Sequence, residues 1–136
     1  MRLYHYTTWK GEQINMYRWV RPSNRYNLSC NIKLTFLTAC EEWEPSLQAQ
    51  SFEGYYEKCG SHPLAYDELR IPCWKFQVAY GRVIRFHDFN LNHIQWDKMK
   101  LSATQLGSNM DDWYVTYEPV PVYKSWKWTK GGWRLL

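Results

Sequence analysis

Two side chains in this sequence combine a reactive group with a setting that could use it. His5 lies in the run Leu3-Tyr4-His5-Tyr6-Thr7, next to the hydroxyl groups of Tyr6 and Thr7. An imidazole held in a strand can hydrogen-bond a ribose hydroxyl or carry a proton. The alternative is a half-buried histidine bonded to neighbouring backbone. Glu118 ends the run Trp113-Tyr114-Val115-Thr116-Tyr117-Glu118. Strand alternation puts it on one face with Tyr114 and Thr116, where a carboxylate can bind a hydroxyl or stabilise developing positive charge. The alternative is a solvated strand-end charge before Pro119. Thr38 ends a strand on the face of Leu34 and Phe36, and is otherwise a helix N-cap. Arg25 sits in a polar loop, where its guanidinium can clamp a phosphate with two bonds, or is an ordinary surface arginine.

Other chemistries find little support. The spacing of His87, Asp88 and His93 fits no standard metal site. No glycine-rich phosphate loop, G-x-S-x-G or H-E-x-x-H occurs. Cys30, Cys40, Cys59 and Cys73 include no C-x-x-C pair, so we expect reduced thiols in a cytoplasmic protein. The opening residues lack an apolar signal core, and no apolar run nears the roughly 18 residues of a membrane span.

The elements expected to position these groups follow from periodicity. Residues 2–7 read as a strand with Leu3, His5 and Thr7 on one face and Tyr4 and Tyr6 on the other. A short helix is expected over 8–20, weakened by Gly11, and a loop over 21–25, since Pro22 disfavours helix at Arg21. Residues 32–38 read as a strand. Thr38-Ala39-Cys40-Glu41 then has the capping-box pattern of a helical turn. The stretch 46–70 is polar and irregular. Residues 73–80 alternate as a half-buried strand, and Gly81 suits a hairpin into 82–86. Helix or loop is expected over 90–106 and a strong strand over 113–118. Pro119 and Pro121 are expected to end that strand or place it at an edge. In the tail, Trp126 and Trp128 share a side ahead of a Gly131-Gly132 turn. The order gives four to six strands without a βαβα rhythm, hence an α+β domain with a mixed or antiparallel sheet and short helices.

Length and composition set the scale. The chain has 136 residues, which favours one domain over 1–136. Its 9 Trp, 11 Tyr and 5 Phe are many for this length. Most should fill a core short of Leu, Ile and Val, and a few should line a groove or interface. The net charge of +4 permits, without demanding, attraction to nucleic acid or an acidic partner.

Pieces of the chain resemble small ADP-ribosyltransferase-fold proteins. Leu3-Tyr4-His5-Tyr6-Thr7-Thr8, then Arg21-Pro22-Ser23, then Leu34-Thr35-Phe36-Leu37-Thr38 follow the layout of DarT-like DNA ADP-ribosyltransferases and RNA 2′-phosphotransferases. Trp113-Tyr114-Val115-Thr116-Tyr117-Glu118-Pro119-Val120-Pro121 resembles a strand near the C-terminus of short phage and bacterial proteins. The likeness covers roughly a third of the chain. It implies an ADP-ribosyltransferase-like fold and NAD as cofactor, with His5 and Glu118 catalytic. His5 would bind the nicotinamide-side ribose and Glu118 would be the third-motif acid. Tyr6, Thr7, Arg25, Thr38 and Thr116 would be the cofactor contacts. Met16-Tyr17-Arg18-Trp19-Val20 stands where that pattern carries a glycine. On this reading the protein binds a nucleotide and transfers ADP-ribose to nucleic acid or protein. Two alternatives carry no catalysis. One is a phage-type factor that inhibits a host protein through an aromatic surface; the other is a single-stranded nucleic-acid binder that stacks bases on Trp and Tyr.

Overall fold

The computed structural model describes residues 1–7, 11–23, 33–42, 74–89, 94–105, 107–129 and 132–136. They form an α+β fold with an eight-stranded sheet, antiparallel throughout, and two helices. The strands are β1 (Leu3–Thr7), β2 (Trp19–Val20), β3 (Thr35–Thr38), β4 (Trp74–Val78), β5 (Ile84–Arg85), β6 (Trp113–Thr116), β7 (Val120–Thr129) and β8 (Gly132–Leu135). The helices are α1 (Gly11–Tyr17) and α2 (Ile94–Gln105). The strand order is β2-β7-β4-β1-β3-β6-β5, with β8 also paired to β7. β1 therefore lies near the middle of the sheet, paired with β4 on one side and β3 on the other.

The sheet is curled. β6 and β7 are separated by β3, β1 and β4, a flat distance of about 19 Å at the usual strand spacing. Yet Thr116 and Val120 are only four residues apart, a reach of at most about 14 Å. The two strands can both keep their places only if the sheet bends toward one face. That inner face holds the core of Leu3, Val20, Leu37, Trp74, Phe76, Val78, Val120 and Val122, with Ile14 of α1 packed against it. The outer face carries two clusters. Leu34, Trp113 and Val115 pack there with Phe86 and with Trp96, Met99 and Ala103 of α2. Farther along, Tyr4 and Tyr6 pack with Trp126, Trp128 and Trp133.

Several expectations from periodicity meet competing interactions. The helix expected over 8–20 is confined, within the described residues, to Gly11–Tyr17, and Trp19 and Val20 are a strand instead. Arg18 reverses the chain with φ of 63°. Its carbonyl then accepts from Val122 N–H, and its guanidinium donates to the Tyr123 carbonyl and the Ser125 hydroxyl. This covers the exposed groups of β7 between β2 and β8, an edge that would otherwise invite pairing. The described part of the capping-box stretch, through Glu42, is not helical. Thr38 Oγ1 accepts from Cys40 N–H two residues on, a local turn that competes with helix.

No hairpin forms at Gly81. β4 pairs with β1 and β7, while β5 pairs with β6. Non-local pairing has displaced the local turn. The strand expected over 113–118 stops at Thr116. The prolines do not end strand structure, because β7 starts at Val120 and Pro121 pairs with Trp19 inside it. Pro121 needs no N–H there, since its carbonyl accepts from Ala79 N–H. The tail adds a long strand and its hairpin partner, Thr129 pairing with Gly132. The stretch 46–70 lies outside the described residues.

Candidate functional site

Pairing registers fix which side chains share the inner face. His5 lies across from Phe76, which lies across from Ser125. Continuing the Tyr4–Thr38 register puts His5 opposite Leu37, which pairs with Tyr114. The next row runs Thr116, Thr35, Thr7, Trp74 and Lys127, crossing β6, β3, β1, β4 and β7. Paired residues point to the same side, so this row is a lane of three hydroxyls, an indole and an ammonium. Thr7, Thr35 and Thr116 are buried in it.

His5 is half-buried, and its Nδ1 is 2.9 Å from the Phe36 carbonyl. A carbonyl only accepts, so Nδ1 carries the proton. In the neutral ring Nε2 is then the acceptor nitrogen. The backbone bond that a purely structural histidine would make is therefore present, and it also sets the tautomer suited to receive a ribose hydroxyl. Glu118 lies past the end of β6 on an exposed bend. The lane holds its backbone: Thr35 Oγ1 donates to its carbonyl at 3.0 Å, and its N–H donates to Thr116 Oγ1 at 3.2 Å. One carboxylate oxygen is 4.0 Å from where a Cβ on Gly81 would stand.

The expected site residues thus divide. His5, Thr7 and Thr116 share the inner face, and Glu118 stands at the rim where the lane reaches β6. Tyr6 and Thr38 are on the opposite face. Tyr6 donates from its hydroxyl to the Cys40 carbonyl at 2.7 Å, and Thr38 is engaged in the turn at Cys40. Arg25 lies outside the described residues.

No family model, curated protein or solved structure matches the chain. Its function must be argued from its own side chains.

Trp74 is the residue that strand periodicity treats as plain core. Its ring stacks on Phe76 at 5.7 Å between centroids and 8° between planes. The Lys127 ammonium stands 5.2 Å from the ring centre. Gly11 is required above it, because a Cβ there would come within 2.4 Å of the indole. Among the described residues, the buried Trp74 Nε1 has no hydrogen-bond partner. Buried donors are rarely left unpaired, since the desolvated group costs about 1–3 kcal/mol. An orphaned donor on a hydroxyl-lined lane fits a polar, acceptor-rich ligand such as a dinucleotide. Sequence offered one signal for it, the alternation that put Trp74 and Phe76 on the same face.

The outer face is built differently. Lys75 is only 6% exposed. Its ammonium lies 4.6 Å from the Trp126 ring centre, 5.2 Å from that of Trp133 and 5.5 Å from that of Tyr4. It donates to the Glu41 carbonyl at 2.9 Å. Tyr6 and Trp133 take the carbonyls on either side, those of Cys40 and Glu42. Three successive carbonyls are thereby fastened to one aromatic cluster. Burial holds the Lys75 pKa below its ordinary value, against the raising effect of Glu41 and Glu42. Burial also raises the Tyr4 pKa, with Glu41 adding to the effect and Arg2 opposing it. His87 Nε2 stands 2.6 Å from the Asp111 carboxylate, and no cluster among the described residues has the makings of a metal site. No helix among them is long and apolar enough to cross a membrane.

Proposed function

We propose that the chain is an ADP-ribosyltransferase-like domain that binds NAD on the inner face of its sheet and transfers ADP-ribose to an acceptor, a nucleic acid or a protein. The observation that carries this reading is the common inner-face setting of His5, Thr7 and Thr116 with Glu118 at the rim. His5 Nε2 accepts from a ribose hydroxyl and fixes the sugar. Glu118 faces the charge that develops at C1′ as the bond from ribose to nicotinamide breaks. Nicotinamide leaves with the bonding electron pair. The acceptor's nucleophile forms the new bond to C1′ and gives up its proton. Fixing both partners and stabilising the cation-like ribose account for the rate.

Calorimetric titration of NAD into the protein and its His5→Ala variant tests the reading. The expected result is binding by the parent and loss of affinity in a variant that keeps its far-ultraviolet spectrum. A parent that binds no NAD at millimolar concentration removes the proposal. The rival with a specific observation behind it is an aromatic interaction surface, because Trp19 is 45% and Tyr123 62% exposed. Pull-down of one partner by the parent and not by a Trp19→Ala, Tyr123→Ala double variant, without NAD binding, is the outcome that favours it.

A further inference from the structure

The lane has two chemically different ends. At β6 it meets the backbone of Glu118; at β4 and β7 it ends in the Trp74 indole and the Lys127 ammonium. The row crosses five strands, β6, β3, β1, β4 and β7, a reach that suits an extended ligand better than a single sugar. The β7 end is the only part of the lane with a cation, and it also holds the unpaired Trp74 N–H. Lys127 is only loosely engaged: its ammonium is 3.9 Å from Glu12, on an exposed pair. Such a pair contributes little to stability, so the ammonium can turn to a stronger acceptor. An unpaired indole N–H and a partly exposed ammonium 5.2 Å from the centre of the same ring are donors suited to phosphate oxygens, which supply charge and several lone pairs.

We infer that Trp74 Nε1 and Lys127 Nζ form the phosphate-binding end of the inner face, holding the pyrophosphate of a dinucleotide whose reacting ribose lies toward His5 and Glu118. This inference rests on the inner face being the nucleotide site, and it adds the direction in which the ligand lies. Trp74→Phe keeps an aromatic ring that can stack on Phe76 and removes the N–H together with part of the indole's volume. Lys127→Gln removes the charge at a partly exposed position.

The test is calorimetry with NAD, and with inorganic pyrophosphate as competitor. Pyrophosphate should displace NAD from the parent. Each variant should lose about tenfold in affinity for both ligands, the scale of one hydrogen bond to a charged group. His5→Ala should weaken NAD and leave pyrophosphate unchanged. Full NAD affinity in Trp74→Phe and Lys127→Gln, or failure of pyrophosphate to compete, overturns this inference while leaving NAD binding itself in place. A parent that binds neither ligand overturns both.

Discussion

The two faces of the sheet use aromatic side chains for opposite ends. On the outer face a buried cation is surrounded by the rings of Tyr4, Trp126 and Trp133 and donates to a carbonyl, so its needs are met within the chain. On the inner face an equally buried indole keeps an N–H without a partner among the described residues, in a row of hydroxyls that ends in a loosely held ammonium. The first arrangement is complete and reads as architecture. The second leaves the Trp74 N–H without an acceptor among the described residues and reads as a place for a ligand. Richness in Trp does not itself indicate binding; what separates the two faces is the one buried indole N–H, that of Trp74, without a partner among the described residues.

The comparison breaks most severely at the packed outer cluster. Phe86 stacks on Trp96 at 4.6 Å and meets Trp113 edge-on at 5.5 Å. Phe86→Ala should cost about 3–5 kcal/mol, measured by urea unfolding. A loss below 1 kcal/mol would mean that α2 is not held there. On the inner face, Gly11→Val should cost about 1–3 kcal/mol through overpacking against Trp74. A neutral result would show that α1 does not sit on the indole.

The Lys75 cage gives a pH signature. Its folded pKa lies below 10.5, so between the two values the unfolded chain binds more protons, and stability rises with pH in that window. Lys75→Met removes this contribution. The stability of the parent relative to the variant should therefore grow as pH approaches about 10.5, the ordinary lysine value. Thermal unfolding across pH 8 to 10.5 reads it, and a constant difference would place the ammonium in water. Comparing with Lys75→Met cancels most of the opposing contribution of Tyr4, whose raised pKa makes the folded state lose stability as pH rises above 10.0. The smallest effect is expected at Tyr123, the exposed residue at the irregularity in the β4–β7 register. Tyr123→Ala should change stability by less than about 0.5 kcal/mol.

Much of the sheet was legible in the sequence, because alternation is a local signal. The runs 3–7, 74–78 and 113–116 carry it, and so does the division of His5 from Tyr4 and Tyr6. Non-local pairing was not legible. Gly81 looks like a hairpin glycine, but β4 finds its partners in β1 and β7, one of them about seventy residues away in sequence. Pro121 looks like a strand terminator, yet it is tolerated where β7 needs only its carbonyl. For the site, strand parity sufficed to group His5 with Thr7, and Glu118 with Thr116. It could not reveal that β1 and β6 lie on either side of β3, nor that Tyr6 and Thr38 are spent on fastening Cys40. Trp74 and Lys127 escaped notice because nothing local distinguishes an indole that finds an acceptor from one that does not.

The distinction between the faces can be measured on the indoles themselves. The chain has 9 Trp, and nitrogen-15 labelling gives each indole N–H its own proton–nitrogen correlation. The Trp74 signal is assigned by its loss in Trp74→Phe, and those of Trp126, Trp128 and Trp133 by the matching variants. Addition of NAD should shift the Trp74 signal in a saturable way and leave the three outer-face indoles in place. Shifts confined to Trp126, Trp128 and Trp133, or no shift at any indole, would contradict the assignment of the inner face as the ligand site.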